Sequence, residues 1–156
     1  MSAKNASTAT SRLSVAVVGA GIGGVAAALA LALRGHSVTV YERAAANAEL
    51  GAGVQIGPNG TRVLKALGIG TGSGDVPDAA WIKGSNGRPV ASLPLGAAAE
   101  ERWGAAYLQF HRADLLAALL RAAVGAGVDV QFNAAVASIE PNGRFRLADG
   151  TSLSAD

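Results

Sequence analysis

Three glycines near the amino terminus form the first pattern that could do chemistry. Gly19, Gly21 and Gly24 follow the β-branched run Val15–Val18 with the spacing G-x-G-x-x-G. In such a turn the first glycine lets the strand end sharply, the second lets an anion approach the backbone, and the third lets a helix pack against the strand. The free N–H groups of a helix that starts near Ile22 would attract a phosphate. The pattern therefore predicts a site for the pyrophosphate of a dinucleotide.

A carboxylate completes this pattern at the end of a second β-branched run, Ser37–Val40. Glu42 lies 23 residues after Gly19, close to the spacing of dinucleotide-binding βαβ units. Its carboxylate could accept hydrogen bonds from the two ribose hydroxyls of an adenosine, and it would repel a 2′-phosphate. NADP is therefore disfavoured at this site. Glycine clusters also occur in ordinary turns, but the strand before, the helix after and the acid at this distance favour nucleotide binding.

The same region has a rival interpretation as a membrane span, because residues 13–33 contain no charged side chain. A run of that length is enough to cross a bilayer. Four glycines interrupt it, however, and its first third is β-branched. A buried parallel strand followed by a buried helix explains the pattern better, so we predict no membrane segment.

The composition excludes several classes of function. The 156 residues suffice for one domain with a hydrophobic core, since 50% are hydrophobic and 15% are charged. A net charge of +2 is too small to indicate a nucleic-acid partner, and no basic run with interleaved aromatic residues occurs. The chain has no cysteine and two histidines, His36 and His111, in unrelated contexts. Disulfides and thiol chemistry are excluded, and we predict no metal site.

The first residues of the sequence lack the pattern of a targeting signal. Residues 1–11 are small and polar and lack the apolar stretch of a secretory signal. We therefore predict a flexible tail and a cytoplasmic protein.

A second glycine-rich segment, Gly51–Gly60, has the sequence GAGVQIGPNG. It predicts an extended stretch around Val54 that leads into a helix capped by Asn59. An ordinary glycine-rich loop is an equally good interpretation of the composition alone. The apolar stripe of the predicted helix consists of Val63, Leu64 and Leu67.

Two alternating segments, Ala80–Lys83 and Pro89–Leu95, flank the sequence Ser85–Gly87. Asn-Gly at this place is a strong hairpin signal, so we predict an antiparallel pair of strands. Trp81 and Trp103 could be platforms for a ligand. Isolated aromatic residues more often anchor a core or cover a sheet, and we favour that interpretation.

Arg112 lies where a predicted strand, Tyr107–Phe110, gives way to a helix with the sequence HRADLLAALLRAAVGAG. In a sheet with Rossmann-like order, strand ends of this kind line the ligand crevice. A solvated Arg112, or one paired with Asp114, is an equally supported alternative. The apolar face of the helix contains Leu115, Leu116, Leu119 and Leu120.

Four further short strands are predicted after that helix, with turns at Pro141–Gly143 and Asp149–Gly150. The last three form a predicted β-meander appended to a parallel sheet. The chain then ends at Asp156 with no closing element, so we expect an incomplete domain. The four strands are Val128–Phe132, Ala135–Glu140, Arg144–Leu147 and Thr151–Leu153.

Four segments, in this order, resemble the amino-terminal part of one protein family. They are GAGIGG with Glu42, then GAGVQIGPNG, then HRADL, then VASIE followed by DGTSLSAD. The family is that of the single-component FAD-dependent aromatic monooxygenases, which are similar to salicylate and hydroxybenzoate hydroxylases. The glycine fingerprint is shared by many flavoproteins and NAD enzymes, whereas GAGVQIGPN followed by HRADL is much more specific.

The resemblance implies an α/β, Rossmann-like βαβ FAD-binding fold with an appended β-meander over residues 12–156. It also implies that FAD is the cofactor and that a set of matching positions contacts it. Those facing the pyrophosphate would be Gly19, Gly21, Ile22, Gly23 and Gly24. Glu42 would hold the adenosine ribose, with Arg43 beside it, and Gly53 and Val54 would lie near the flavin. Arg112 would contact the cofactor, and the backbone of Val136 would lie near the adenine.

The resemblance further implies a reaction, in which NADH or NADPH and O₂ are used to hydroxylate an aromatic substrate. It assigns no catalytic residue, because the family's substrate-binding groups mostly lie beyond this stretch of sequence. We therefore expect the isolated 156-residue chain to be inactive. Two alternatives stay open at this point: a non-catalytic or remnant nucleotide-binding module, and an NAD-dependent oxidoreductase domain, which Glu42 permits. The sequence specifies neither the aromatic substrate nor the oligomeric state.

Overall fold

The computed structural model describes residues 11–45, 52–72 and 74–156. The predicted tail falls outside the described residues up to position 10, and so does Gly51, the first residue of the second glycine-rich segment. The described residues form ten strands and four helices. In chain order these are β1 (Ser14–Val18), α1 (Ile22–Ala32), β2 (Ser37–Tyr41), β3 (Gly53–Ile56), α2 (Pro58–Ala66), β4 (Ala79–Lys83), β5 (Pro89–Pro94), α3 (Gly96–Trp103), β6 (Leu108–His111), α4 (Arg112–Gly125), β7 (Asp129–Gln131), β8 (Val136–Ile139), β9 (Arg144–Leu147) and β10 (Ser152–Ser154).

A three-stranded parallel sheet with the order β1-β2-β7 is the centre of the fold. The register pairs Ser14 with Ser37 and Thr39 with Asp129. Val38 and Val40 of the middle strand are buried, because β-branched side chains pack well on a pleated surface that is covered by helices. The predicted βαβ unit is therefore confirmed.

Helix α1 packs against β2 and α4, and it connects the first two parallel strands. Its buried face contains Val25 and Leu29, and that of α4 contains Leu115 and Leu119. These side chains recur every three to four residues and so form a stripe on one side of each helix. In the fold the uncharged run forms the parallel strand β1, which is half-buried, and the helix α1, which is buried along one face only, so the predicted burial is too complete. Within the described ranges, no helix has both the length and the apolarity to span a bilayer.

The predicted meander is present as a second three-stranded sheet with the order β10-β9-β8. Phe145 and Leu147 are buried, whereas Arg144 and Arg146 are exposed, which is the alternation expected of a strand with one face against a core. The Phe145 ring meets the Tyr41 ring edge-on, with 5.2 Å between centroids, so the meander packs against the end of β2.

Strand β6 does not join the parallel sheet, contrary to the Rossmann-like position considered for the strand before Arg112. It pairs antiparallel with β3 in a separate two-stranded sheet, with Gly53 opposite His111. The predicted hairpin is confirmed as a fourth sheet, in which β4 pairs with β5 around the turn containing Gly87.

Three local predictions are wrong. Helix α2 is capped by Gly57, not Asn59, because Pro58 needs no N–H partner and suits the first helical position. Val63 is 55% exposed, so the buried stripe of α2 is narrower than predicted. Trp81 and Trp103 are 61% and 39% exposed, so the prediction that they anchor a core is wrong. Trp81 instead lies on the two-stranded sheet of β4 and β5, the other position that we favoured, and Trp103 lies at the end of α3.

Candidate cofactor site

The glycine turn between β1 and α1 has the geometry that its spacing predicts. Gly19 has a φ of +98°, a conformation that favours glycine, and its N–H donates to the carbonyl oxygen of Tyr41 at 2.8 Å. A Cβ added to Gly24 would collide with the carbonyl oxygen of Gly19. Gly24 therefore lets α1 begin directly against the end of β1.

The amino-terminal end of α1 is open toward solvent. A Cβ added at Gly21 or Gly23 would meet no heavy atom within 4 Å. Gly21 is the N-cap residue, and no side chain caps the helix there, nor does an acidic residue occur in its first turn. The backbone N–H groups that begin at Ile22 can therefore donate to an anion.

Glu42 is held in one position by both its side chain and its backbone. Its carboxylate accepts hydrogen bonds from the backbone N–H of Ala20 at 2.7 Å and from that of Ala44 at 2.9 Å. Its own N–H donates to the carbonyl oxygen of Gln131, and its carbonyl oxygen accepts from the N–H of Ala134, both at 2.8 Å. The side chain thus joins the glycine turn to the segment after β2.

The hydrogen bonds from Ala44 and Ala20 lower the pKa of Glu42 below its usual range, since each favours the ionised carboxylate. Partial burial opposes this shift, and the positive charge of Arg43 adds to it. Glu42 is therefore an anion at neutral pH. Each carboxylate oxygen retains acceptor capacity beyond the one backbone hydrogen bond that it makes, which suits it to ribose hydroxyl groups.

A cavity of about 230 Å³ opens beside Glu42. Four predicted site residues line it, and so do four residues that the sequence did not single out. Pockets that hold a whole small molecule typically have a volume of about 300–1,000 Å³. This cavity is smaller, so it suits one part of a dinucleotide. The predicted residues are Gly19, Glu42, Arg43 and Val136, and the additional ones are Val18, Tyr41, Ala134 and Ala135.

The connection between β7 and β8 forms one wall of this cavity. Asn133 adopts a positive φ of 57°, which asparagine tolerates better than most residues. Its N–H donates to the carbonyl oxygen of Ala44 at 3.0 Å, next to the hydrogen bond from Ala134 to Glu42. These two contacts bring Val136 to the site. Two features of the sequence could have identified the additional lining residues. Ala134 and Ala135 directly precede Val136, and Tyr41 ends the strand before Glu42.

Of the other predicted residues, Gly53 and Val54 lie on β3, and Arg112 is the first residue of α4, directly after β6. Gly53 and Val54 line a second cavity, of about 500 Å³, with Gln109 and His111. The N–H of Arg112 donates to the carbonyl oxygen of Ala52 at 3.0 Å, which ties the start of α4 to the start of β3. The two cavities share no lining residue.

The first cavity and the neighbouring start of α1 together fit the adenosine and pyrophosphate portion of FAD. Of the predicted pyrophosphate residues, Gly19 lines the cavity, and Gly21, Ile22, Gly23 and Gly24 lie beside it at the start of α1. The open helix start and bare glycine backbone match a pyrophosphate, and the fixed carboxylate matches a ribose. Among residues 11–45, 52–72 and 74–156, no group of three or more His, Cys, Asp or Glu side chains could hold a metal ion.

Comparisons with known proteins agree with this chemistry. Residues 12–149 match the family model described as FAD binding domain. The chain is 38% identical over 144 residues to 6-hydroxynicotinate 3-monooxygenase of Bordetella bronchiseptica, covering 88% of this chain and 37% of that protein. It is 40% identical over 132 residues to 3-hydroxybenzoate 6-hydroxylase 1 of Aquipseudomonas alcaligenes, covering 81% and 33%. The chain thus spans about a third of the length of these relatives.

Two solved structures share the fold. A tetrameric form of 2-methyl-3-hydroxypyridine-5-carboxylic acid oxygenase superposes with a TM-score of 0.82 at 27% identity, covering 94% of this chain and 38% of that one. Klebsiella pneumoniae HpxO, in complex with FAD and uric acid, superposes with a TM-score of 0.74 at 30% identity, covering 92% and 37%.

Proposed function

This chain belongs to the FAD binding domain family, and from that membership we propose that it is the FAD-binding portion of a flavin-dependent aromatic monooxygenase. The proposed substrates are an aromatic compound, O₂, and NADH or NADPH as electron donor, and the proposed location is the cytoplasm. The names of the two curated relatives, a hydroxynicotinate monooxygenase and a hydroxybenzoate hydroxylase, support this reaction class. We assign residues 12–156 to the FAD-binding domain.

The observation that carries the proposal is the fixed carboxylate of Glu42 beside the open glycine turn. We assign Glu42 to the adenosine ribose, with Arg43 beside it, and the backbone of Val136 to the adenine. The backbone from Gly19 to Gly24, including Ile22 and Gly23, would bind the pyrophosphate. The pyrophosphate would thereby be held by backbone groups, and the ribose by a carboxylate that is itself fixed by backbone N–H groups.

We assign Gly53, Val54 and Arg112 to the flavin end of the cofactor. The support for this is that Gly53 and Val54 line a cavity larger than the one beside Glu42, and that the backbone N–H of Arg112 donates to Ala52, the residue before Gly53. Bound FAD would supply the redox chemistry that connects the nicotinamide donor, O₂ and the aromatic ring. The chain's own residues bind and orient the cofactor.

Gly21→Ala tests cofactor binding without disturbing the fold. The new methyl group meets no protein atom within 4 Å, so the unfolding temperature is expected to stay that of the unaltered chain. It would, however, occupy the space where a pyrophosphate approaches, so we expect at least tenfold weaker FAD binding by fluorescence titration. Gly125→Ala is the matched control, because that position is equally open and lies at the end of α4.

Equal FAD affinity of Gly21→Ala and Gly125→Ala would contradict the assignment of the glycine turn. Tighter binding of NAD than of FAD by the unaltered chain would favour an NAD-dependent oxidoreductase instead.

A chimera tests the reaction. This chain would replace the corresponding first third of the Bordetella bronchiseptica 6-hydroxynicotinate 3-monooxygenase. We expect a yellow protein that oxidises NADH or NADPH faster when 6-hydroxynicotinate is added. A chimera that contains FAD but shows no aromatic-dependent oxidation would favour a nucleotide-binding module without catalysis.

A further inference from the structure

A third cavity, of about 280 Å³, lies between α2, β5 and α3. It shares no lining residue with the two cavities assigned to the cofactor. We call it the α2–α3 pocket. Its walls are formed by Pro58, Asn59, Arg62, Leu93, Trp103 and Tyr107, with the buried Leu95 as a further apolar contact.

Arg62 supplies the charge of the α2–α3 pocket. One of its guanidinium nitrogens, Nη1, donates to the carbonyl oxygen of Trp103 at 2.6 Å. That hydrogen bond holds the side chain across the gap between α2 and α3. A guanidinium has five N–H donors in a planar fork, so donors remain that can bind a carboxylate in bidentate fashion.

Most of the remaining wall residues are apolar, and the ring of one of them, Tyr107, is held by a hydrogen bond. The Tyr107 hydroxyl donates to Oε1 of Gln55 at 2.7 Å, which fixes the orientation of that ring. Trp103 is 39% exposed, and the guanidinium carbon of Arg102 lies 5.2 Å from the centroid of its ring. Aromatic walls of this kind contact planar rings well, and Arg102 adds a second positive charge beside the pocket.

Among the described residues that line the α2–α3 pocket, Arg62 is the one with a charged side chain. The volume of the pocket is slightly below the range typical of drug-sized ligands and therefore suits a single ring with one substituent. We propose that the α2–α3 pocket is a second small-molecule site, which binds a monocyclic aromatic carboxylate. The carboxylate pairs with Arg62, and the ring packs among Leu93, Trp103 and Tyr107.

Benzoate is the probe, and the fluorescence of Trp103 reports its binding. The chain has two tryptophans, so Trp81→Phe on the β4–β5 hairpin leaves Trp103 as the only one. In this background we expect saturable quenching with a dissociation constant of about 1 mM, as is reasonable for so small a ligand. Benzyl alcohol, which has a similar shape but no charge, is expected to bind at least tenfold more weakly.

Arg62→Gln is expected to weaken benzoate binding at least tenfold and to leave FAD binding unchanged. Lys65→Gln is the matched control, because it removes the same charge from the same helix outside the pocket, and its affinity for benzoate should stay within twofold. Arg62 is exposed, so both variants should fold, which circular dichroism verifies.

Equal binding of benzoate and benzyl alcohol would overturn the proposal. So would equal effects of the two substitutions, or quenching that never saturates. FAD binding is measured on the same variants, so the two proposals can be separated. Binding of FAD without binding of benzoate would contradict the α2–α3 pocket alone. Binding of benzoate without binding of FAD would contradict the proposed function alone.

Discussion

Two regions of the molecule are fixed in different ways. One, the meander side, comprises the parallel sheet and β8–β10, and the other, the ribbon side, is the two-stranded sheet β4–β5. On the meander side, backbone groups far apart in sequence hydrogen-bond to one another, as Ala134 does to Glu42 and Asp156 to Ser14. On the ribbon side, large apolar side chains such as Trp81, Ile82 and Val90 are more than half exposed.

On the meander side, backbone hydrogen bonds fix the residues around Glu42. The Glu42 carboxylate is held by two backbone N–H groups, those of Ala20 and Ala44, which lie in the turns directly after β1 and β2. The ribbon side has exposed strands and, among the described residues, lacks such a framework. A two-stranded sheet with exposed faces has little buried area to hold it in place, and isolated hairpins are marginally stable. We therefore expect substitutions to have large effects on the meander side and small ones on the ribbon side.

Removing one aromatic ring from each side tests the comparison most directly. We expect the largest difference in unfolding free energy here. Phe145→Ala removes a ring that is 6% exposed and should cost about 3–5 kcal/mol of unfolding free energy. Trp81→Ala removes a ring that is 61% exposed and should cost less than about 1 kcal/mol. Urea unfolding followed by circular dichroism measures both. Similar losses would mean that the ribbon side is held as firmly as the meander side.

Two neighbouring glycines in α1 provide a second test, with an intermediate effect. Gly24→Ala drives a methyl group into the carbonyl oxygen of Gly19, and a backbone atom cannot yield easily, so we expect a loss of about 2–3 kcal/mol. Gly23→Ala meets nothing within 4 Å, and it should be neutral or stabilise the helix by up to about 1 kcal/mol. Thermal unfolding compares the two. A stable Gly24→Ala variant would show that α1 can shift away from β1.

Glu42→Gln provides the third test, with the smallest effect on stability. An amide cannot accept from both Ala20 and Ala44, since one of its ends is itself a donor, so about 1–2 kcal/mol should be lost at neutral pH. Glu140→Gln, at an exposed position in the meander, is the control and should change little. FAD affinity should fall about tenfold in Glu42→Gln alone.

The pH dependence of this loss checks its cause. Because folding lowers the pKa of Glu42, its stabilising contribution is complete above the unfolded value of about 4.3 and disappears as the pH falls through the folded value. The stability difference between the original chain and Glu42→Gln should therefore be constant from about pH 7 to pH 5 and shrink at more acidic pH. A difference that stays constant down to pH 3 would exclude the carboxylate as its origin.

The parallel sheet and the meander could be predicted from the sequence to a greater extent than the sheet formed by β3 and β6. The glycine turn, the acid after β2 and the three strands of the meander each depend on neighbours within a few dozen residues. The pairing of β3 with β6 could not be predicted, because it joins segments more than fifty residues apart without a local signal. The exposure of Trp81 depends on what packs against its sheet, and propensity carries no such information.

Within the candidate site, the sequence indicated the groups that differ chemically from their surroundings and missed those that only form walls. Glu42 stands out as a charged residue at the end of an apolar strand. Ala134 and Ala135 are small side chains like many others in this alanine-rich chain, and their role comes from the hydrogen bonds of their backbone.

The hydrogen bond from Ala134 to Glu42 also has a kinetic consequence. It closes a loop of about ninety residues, and such long-range contacts form late because the entropy of the intervening chain must be lost first. The first βαβ unit can therefore assemble early, while its cavity acquires its second wall only when β7 and the segment after it dock. The protection of the Ala134 amide from hydrogen exchange should accordingly appear late in refolding, together with the ability to bind nucleotide.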